Sequence, residues 1–287
     1  MVLDPQLVWN GLVVGSVISV AALGLTLIFG ILNFINIAYG DYMAAGAYVA
    51  WAVNAQIGLP IGVAIVAGVL FMSVGSVVLD KLVFQHFRTR SPITLLIVSI
   101  GVAFFIRNLL RAIWGPSGHF YDLPLEASPS FLGVRFSIEQ VAIMITSLLL
   151  LLGVYVMLRR TRIGIAMRAA SDDRMLSRIR GVDTEKLVLY VWLIGGAIAG
   201  LSGIMLGLDA QIRPNMGFTA LIAIFAAVIL GGIGDPKGAV AGGYFIGVAQ
   251  EVSVAVIPSE YKFGVGLVAL IIGLLTRPDG LFGEATR

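Results

Sequence analysis

Residues 31–56 read ILNFINIAYGDYMAAGAYVAWAVNAQ, and this stretch decides how the chain must fold. Its first part interrupts an apolar sequence with five polar or glycine residues: Asn33, Asn36, Tyr39, Gly40 and Asp41. The uncharged part that follows, 42–55, would extend only about 21 Å as a helix, less than the roughly 30 Å hydrocarbon core of a bilayer. We therefore expect 31–56 to be a discontinuous span or a re-entrant hairpin, with its irregular backbone packed inside protein.

The remainder of the chain is apolar enough to belong in a membrane. Of 287 residues, 59% are hydrophobic and 12% are charged, about half the charged fraction of a soluble domain. Uncharged runs of helix length occur at 7–30, 59–80, 92–113, 138–158, 187–208, 214–233, 239–257 and 262–276. The sequence predicts an all-α polytopic membrane helix bundle of eight to nine spans, with one or two discontinuous or re-entrant segments, as a single domain over 1–287.

Positive charge is concentrated in the segment 159–187, which contains eight Lys and Arg against four Asp and Glu. Short basic loops stay on the cytoplasmic side, so this segment is expected inside and 114–137 outside. The N-terminus then lies outside if 31–56 crosses the membrane and inside if it is re-entrant. Because the basicity belongs to one inter-helix loop, we expect no nucleic-acid partner. The apolar spans predict a multi-pass membrane protein.

Residues that would carry enzyme chemistry are scarce. The chain has no cysteine, and its two histidines, His86 and His119, lie in different loops, so we predict no metal site. The sequence lacks the GxxxxGK[ST], GxSxG and HExxH motifs, and we predict no catalytic residue and no cofactor. An ATP-driven step would therefore need another subunit.

A second interruption, Leu230 to Gly238 (LGGIGDPKG), lies in the other half of the chain. Paired interruptions in two halves indicate a translocation pathway, because broken helices present free backbone groups at membrane depth. The alternative is that each is an ordinary loop, and Asp235-Pro236-Lys237-Gly238 is good turn chemistry. The predicted pathway residues are Asn33, Asn36, Tyr39, Gly40, Asp41, Gly231, Gly232 and Gly234.

Isolated charges inside spans would indicate ion coupling. We expect Asp80 to lie beside Lys81 at a helix end, and Arg107 and Arg111 to extend to the interface near Trp114. Two carboxylates then remain without a buried basic partner, Asp41 and Glu251. These two carboxylates alone are weak evidence for ion coupling, and an ion-coupled secondary transporter is the alternative function.

The segment 159–187 has helical patterning. Ile165, Ala169, Leu176 and Ile179 fall on one face, and Ser171 is the expected N-cap of a helix over 172–180 that Gly181 ends. Such a helix could lie on anionic lipid or dock into a partner protein.

Three segments together resemble the permease subunits of branched-chain amino acid ATP-binding-cassette importers of the LivH type. They are GLTLIFGILNFINIAYGDYMAAGAY (24–48), GIAMRAASDDRMLSRIRGV (164–182) and AAVILGGIGDPKGAVAGGYFIGV (226–248). Where that family usually reads N-x-A-H-G-E, this chain has Asn36 to Asp41, with Tyr39 and Asp41 as departures.

The resemblance implies a set of partners: a second homologous permease, two cytoplasmic ATPase subunits and an extracytoplasmic solute-binding protein. It also implies a location in the cytoplasmic (inner) membrane, with membrane lipid as a partner. The transported solutes would be branched-chain or related amino acids, moved by alternating access, with urea or short amides as alternatives. By the same resemblance, 159–187 is expected to be a cytoplasmic coupling loop that contacts the ATPases. The expected coupling residues are Ile165, Arg168, Ala169, Asp172, Leu176, Arg178, Ile179 and Gly181.

Overall fold

The computed structural model describes residues 4–124, 129–131 and 134–276. Over these residues the α-helices are α1 (Pro5–Leu32), α2 (Tyr39–Trp51), α3 (Ile61–Leu82), α4 (Pro92–Trp114), α5 (Ile138–Arg160), α6 (Arg162–Asp172), α7 (Arg174–Ile179), α8 (Thr184–Asp209), α9 (Met216–Gly231), α10 (Pro236–Ser253) and α11 (Lys262–Thr276). A π-helical turn (Ala52–Gln56) extends α2, and short 3-10 turns cover Phe84–Phe87 and Ser259–Tyr261. Two residues of β1 (Ser130–Phe131) pair antiparallel with β2 (Val134–Arg135). The predicted single domain over 1–287 extends beyond the described residues and stays a prediction.

The expected all-α membrane bundle is confirmed. Five helices are long and apolar enough to cross a bilayer, namely α1, α3, α4, α5 and α8, and α9 and α11 are shorter apolar helices. The predicted ends of the eight clear spans lie within four residues of the observed helix ends. Side chains that accept hydrogen bonds from the first turn begin several helices, including Asp4, Ser91, Ser137, Asp183 and Asp235.

Two helices form the centre of the bundle. In their most apolar windows, 83% of α1 and 67% of α8 is buried, against 22% for each of α3 and α5. The outer helices therefore present large apolar side chains outward, where lipid is the solvent, while α1 and α8 are enclosed by protein.

The two central helices run in opposite directions. The start of α1 lies beside β2, where Gln6 Nε2 donates to the Arg135 carbonyl at 3.1 Å, and Gly30 near its end lies against Ser171 of α6. We call the end of the bundle that holds α6 and α7 the basic end, and the end that holds β1 and β2 the hairpin end. α8 starts at the basic end and leads to Ile212, which pairs with His119 at the hairpin end.

Helix packing repeats between the two halves of the chain. α1 packs along α10 as α8 packs along α3, and α2 contacts α3 and α8 as α9 contacts α10 and α1. Because α1 and α8 are antiparallel, α1–α4 and α8–α11 form an inverted repeat, the architecture common in transporters. Helices α5 to α7 connect the two repeats.

The segment 31–56 crosses the bundle. α1 ends at Leu32, and Asn33 adopts the left-handed conformation at φ 55° and donates its N–H to the Phe29 carbonyl at 2.8 Å. α2 runs to the hairpin end, where the Trp51 ring stacks on His119 with centroids 4.0 Å apart. The discontinuous-span interpretation is therefore confirmed, and the start of α1 lies at the hairpin end. The break is shorter than expected, because Tyr39 already begins α2.

Small residues let the repeats approach closely, as the Gly-x-x-x-Gly spacings indicate. Gly247 of α10 faces Gly15 of α1, and Gly196 of α8 faces Met72 and Ser76 of α3, so that a Cβ at either glycine would overlap its neighbours. These glycines are therefore packing contacts between helices.

The crossing can be tested in this cysteine-free chain by single substitutions. Gln56→Cys and Ser117→Cys should react with an impermeant maleimide in intact cells, because both side chains are exposed at the hairpin end. Ser171→Cys, exposed at the basic end, should react only after the membrane is opened. Labelling of Ser171→Cys and Gln56→Cys from the same side would contradict the topology.

Candidate translocation site and coupling surface

The two short helices α2 and α9 meet at their N-termini. A Cβ at Gly40 would overlap the Gly217 carbonyl, and a Cβ at Gly217 would overlap the Gly40 carbonyl. Only glycine permits this backbone approach. Each helix follows a non-helical segment, 33–38 before α2 and 210–215 before α9, so equivalent breaks of the inverted repeat converge on one point in the protein interior.

Sequence reasoning missed the second of these breaks. The residues 210–215 read AQIRPN and lie between two apolar runs, where they were interpreted as an ordinary boundary. The signal was Gln211 and Arg213 followed by Pro214, a polar group directly before a short span. The convergence on Gly40 required knowledge of the helix packing.

The predicted glycines of the second interruption lie elsewhere. Gly231 ends α9, and Gly232 and Gly234 form the turn to α10 with φ of 111° and 91°. This turn lies at the basic end, about 21 Å along α9 from Gly217. It has the turn chemistry that the alternative interpretation described, since the Asp235 carboxylate accepts hydrogen bonds from the Lys237 and Gly238 N–H groups. A role of these glycines in the pathway stays a prediction.

A buried ion pair holds the meeting point together. Arg107 Nε and Nη2 of α4 each donate to a different oxygen of Asp41, both at 2.9 Å. Asp41 is fully buried in the first turn of α2, and Arg107 is 8% exposed. The guanidinium also lies over the Phe218 ring of α9, 4.4 Å from its centroid. One side chain of α4 therefore contacts the first turns of both short helices.

The expectation that Arg107 extends to the interface was wrong, and both carboxylates that were expected to lack a basic partner have one. Arg107 turns inward instead of extending to the interface, so Asp41 has a buried basic partner. Glu251 also has a partner, Lys262 Nζ of α11 at 2.7 Å. Asp80 lies beside Lys81 at the end of α3, as expected, and its carboxylate binds Arg88, which also binds Glu185 at 2.9 Å. The unpaired carboxylates that supported ion coupling are thus paired in this structure.

Polar side chains surround the first break. Asn36 Oδ1 accepts from the Ala38 N–H at 3.1 Å, and the Ile37 N–H donates to Ser99 Oγ of α4 at 3.1 Å. The Asn36 amide nitrogen and the hydroxyls of Tyr39 and Tyr42 are buried without a well-formed hydrogen bond among the described residues, and Ser202 lies near the Tyr39 hydroxyl and Asn36 near the Tyr42 hydroxyl. Such groups are available to a polar molecule that reaches them. Of the predicted pathway residues here, Asn33 is exposed, and Asn36, Tyr39, Gly40 and Asp41 are buried.

The segment 159–187 forms two short helices at the basic end instead of the expected helix over 172–180. Thr161 caps α6 by accepting from the Gly164 N–H at 3.0 Å, and Asp173, not Ser171, caps α7 by accepting from the Leu176 N–H at 2.9 Å. Gly181 follows α7 with φ 89°, so its expected role as a helix stop is confirmed. Asp183 then caps α8, and the N–H and ammonium of Lys186 hold the pKa of its carboxyl below the usual value.

The two faces of these helices differ. Met167 and Ala170 are buried against the bundle, whereas Ile165, Leu176 and Ile179 are 52%, 47% and 74% exposed. The eight expected coupling residues are all exposed: Ile165, Arg168, Ala169, Asp172, Leu176, Arg178, Ile179 and Gly181. We call these residues the coupling surface.

Comparison with known proteins identifies the family. Residues 7–275 match the family model described as "Branched-chain amino acid transport system / permease component". The chain belongs to this permease family. The resemblance inferred from the three segments is confirmed, and the permease is a multi-pass protein of the cytoplasmic (inner) membrane.

The permease is similar to two proteins of one organism. It is 30% identical over 294 residues to the high-affinity branched-chain amino acid transport system permease protein LivH of Escherichia coli strain K12, covering 97% of this chain and 95% of LivH. It is 25% identical over 291 residues to the corresponding protein LivM of that strain, covering 91% of this chain and 67% of LivM.

A solved structure shares the fold of the permease. A chain of PsaBC from Streptococcus pneumoniae, solved in complex with Fab, superimposes with a TM-score of 0.53 at 13% identity. The match covers 95% of this chain and 92% of that chain. At this identity the match supports the fold alone.

Removal of one partner of the buried ion pair should destabilise the permease strongly. Arg107→Gln strands the Asp41 carboxylate and should lower the free energy of unfolding by about 3–5 kcal/mol. The double variant Asp41→Asn with Arg107→Gln should lose less than the sum of the two single losses, by about 1–3 kcal/mol. Unfolding in mixed detergent micelles measures these values.

A matched control is the exposed Arg111→Gln on the same helix, which should change the unfolding free energy by less than about 0.5 kcal/mol. Strictly additive losses in the double variant would show that Asp41 and Arg107 do not interact as described.

Proposed function

We propose that the permease is a membrane subunit of an ATP-binding-cassette importer that moves branched-chain or related amino acids inward by alternating access. The observation that carries this proposal is the convergence of α2 and α9 at Gly40 and Gly217 within an inverted repeat. Transporters of this architecture bind their substrates where discontinuous helices meet, and they expose the site alternately by moving one group of helices against another.

The pathway in this proposal passes the meeting point. Asn36 and Tyr39 provide the polar groups, Gly40 provides the close backbone approach, and the pair of Asp41 with Arg107 fixes α2 and α9 relative to α4. Asn33 faces the basic end. Gly231, Gly232 and Gly234 form the hinge of the α9–α10 hairpin on the same side.

An amino acid suits such a site. The N-termini of α2 and α9 carry partial positive charge, which favours a carboxylate, and the surrounding side chains are apolar, which favours an aliphatic substituent. Urea or a short amide would use the hydrogen bonds but not the apolar surroundings. An ion-coupled transporter would need no ATPase, so the test below distinguishes it.

Energy must reach the permease through protein contact, because the sequence has no phosphate-loop motif. The proposed partners are two cytoplasmic ATPase subunits at the coupling surface and a solute-binding protein at the hairpin end. A second homologous permease completes the pair, and the presence of both LivH and LivM among the relatives of one organism supports two different permeases. This chain itself catalyses no reaction in the proposal.

The ATPase contact can be tested at Ala169. Its side chain is exposed, so Ala169→Glu should leave the isolated permease folded but place a charge and added bulk in the contact. ATPase co-purification should fall, and ATP-dependent leucine uptake into proteoliposomes should fall at least about tenfold, equivalent to about 1.4 kcal/mol of lost contact. Gly181→Val should lower uptake as well, because valine is strained at φ 89°.

The control is Thr89→Glu, an exposed neutral residue changed to Glu in the loop between α3 and α4 at the same end. It should retain ATPase binding and uptake. Normal ATPase capture and substrate-stimulated ATP hydrolysis by Ala169→Glu would contradict the coupling proposal. Leucine uptake without any ATPase would favour the ion-coupled alternative.

A further inference from the structure

A groove with a volume of about 920 Å³ opens at the basic end. Its floor is the second half of α1, α5 forms one side, and α6 and the turn between α9 and α10 close it toward the basic end. It lies outside the junction of α2 and α9, and it shares Arg168 and Asp172 with the coupling surface.

The inner wall of the groove is apolar. Leu23, Leu27 and Ile31 of α1 face Val154 and Leu158 of α5 along it. These positions follow helical spacing on both helices, so the wall runs lengthwise from the basic end into the membrane-spanning part of the bundle. A hydrocarbon chain laid along the wall would contact apolar side chains over about two turns of α1.

The mouth of the groove is basic. Arg159, Arg168 and Lys237 line it from three different elements, α5, α6 and α10. None of the three forms an ion pair with a carboxylate among the residues that the structure describes. Of the two acids that line the groove, Asp235 is engaged by N–H groups of α10, which leaves Asp172 as the other negative group.

We propose that this groove binds an anionic phospholipid of the cytoplasmic leaflet. Its phosphate would lie among Arg159, Arg168 and Lys237, and one acyl chain would follow the wall formed by α1 and α5. Basic pockets between helices on the cytoplasmic side bind anionic headgroups, and the polar mouth here continues into an apolar wall, as an amphipathic ligand requires. A soluble phosphate or nucleotide would leave the apolar wall without a function.

The position of the lipid has a consequence for the coupling surface. Arg168 lies on α6 between Met167, which is buried against the bundle, and the exposed Ala169. A bound headgroup would therefore contact the same helix that we propose to receive the ATPases, and it would hold α6 against α5 and α10. Lipid composition should then influence coupling.

The test uses the purified full-length permease, alone and with its co-expressed partners, in nanodiscs that contain phosphatidylglycerol and phosphatidylcholine in equal amounts. Native mass spectrometry after release counts the retained lipids. The wild type should retain phosphatidylglycerol in preference to phosphatidylcholine. The double variant Arg159→Gln with Lys237→Gln should lose this preference by about tenfold, since each basic group near an anionic surface contributes to lipid attraction.

The matched control is Arg90→Gln with Arg160→Gln, which removes two exposed positive charges from the same end but outside the groove. It should retain the wild-type preference, and both double variants should elute as the wild type does in size-exclusion chromatography. Ser171→Cys in the groove, labelled with a fluorophore, provides a second readout, because brominated phosphatidylglycerol should quench it more than brominated phosphatidylcholine.

Four results would overturn the proposal. Equal retention of both lipids by the wild type would remove its basis, as would an equal loss in the control variant. Loss of phosphatidylglycerol on addition of millimolar inorganic phosphate would identify a soluble anion as the ligand. Quenching at Ser171 that disappears whenever the ATPases are present would identify the groove as part of their docking site. These readouts do not involve transport, so they can fail while the proposed import function stands.

Discussion

A hydrocarbon solvent cannot hydrogen-bond to free backbone groups, and the architecture of this permease follows from that constraint. The segments 33–38 and 210–215 interrupt helices, so their free backbone groups must meet protein or water. In both segments buried and exposed residues alternate along the chain. The central helices α1 and α8 pack against each other and against α10 and α3, and α4 packs against α2. Glycines such as Gly15, Gly196 and Gly247 bring these helices close enough together to exclude lipid.

The same constraint makes burial of the Asp41 and Arg107 charges unfavourable in free energy. Removing two charges from water costs several kcal/mol for each ion, and the bidentate geometry offsets this cost only if both partners stay together. The pair therefore contributes more to specificity than to stability. It fixes the register of α2 against α4, and the contact with Phe218 extends that register to α9. A conformational change at Gly40 and Gly217 would need to move these groups as a unit or separate them.

The sequence predicts the helices well because apolar run length and Gly or Pro boundaries are local signals. Residues 31–56 could be recognised as broken, since 42–55 is too short to cross alone. The path of Arg107 could not be predicted in this way, because a long side chain near a helix end can turn either to the interface or inward, and the position of α2 decides between them. The break at 210–215 was likewise hidden, because a short polar segment between apolar runs looks like any loop.

In the coupling surface, too, some features could be predicted from the sequence and others could not. Its exposed apolar face follows from helical spacing, and Gly181 was recognisable as a stop. The exchange of the cap from Ser171 to Asp173 follows from α6 continuing to Asp172, because Asp173 is then the extended residue that precedes α7. Local patterning identifies which side chains face outward, but the bundle decides where each helix ends.

The junction of α2 and α9 is proposed to lie on the transport pathway, and cysteine accessibility in the complete importer tests this placement. Asn36→Cys and Tyr39→Cys would be introduced separately into the complete importer, with the buried α1 variant Val20→Cys as control. If the junction lies on the pathway, the rate of maleimide labelling at Asn36 or Tyr39 should differ at least about tenfold between the nucleotide-free and ATP-bound importer. This difference corresponds to about 1.4 kcal/mol in the free energy of opening the junction to the reagent. Val20→Cys should stay unreactive throughout. If the cysteines at 36 and 39 are unreactive in every state, the junction does not lie on the transport pathway.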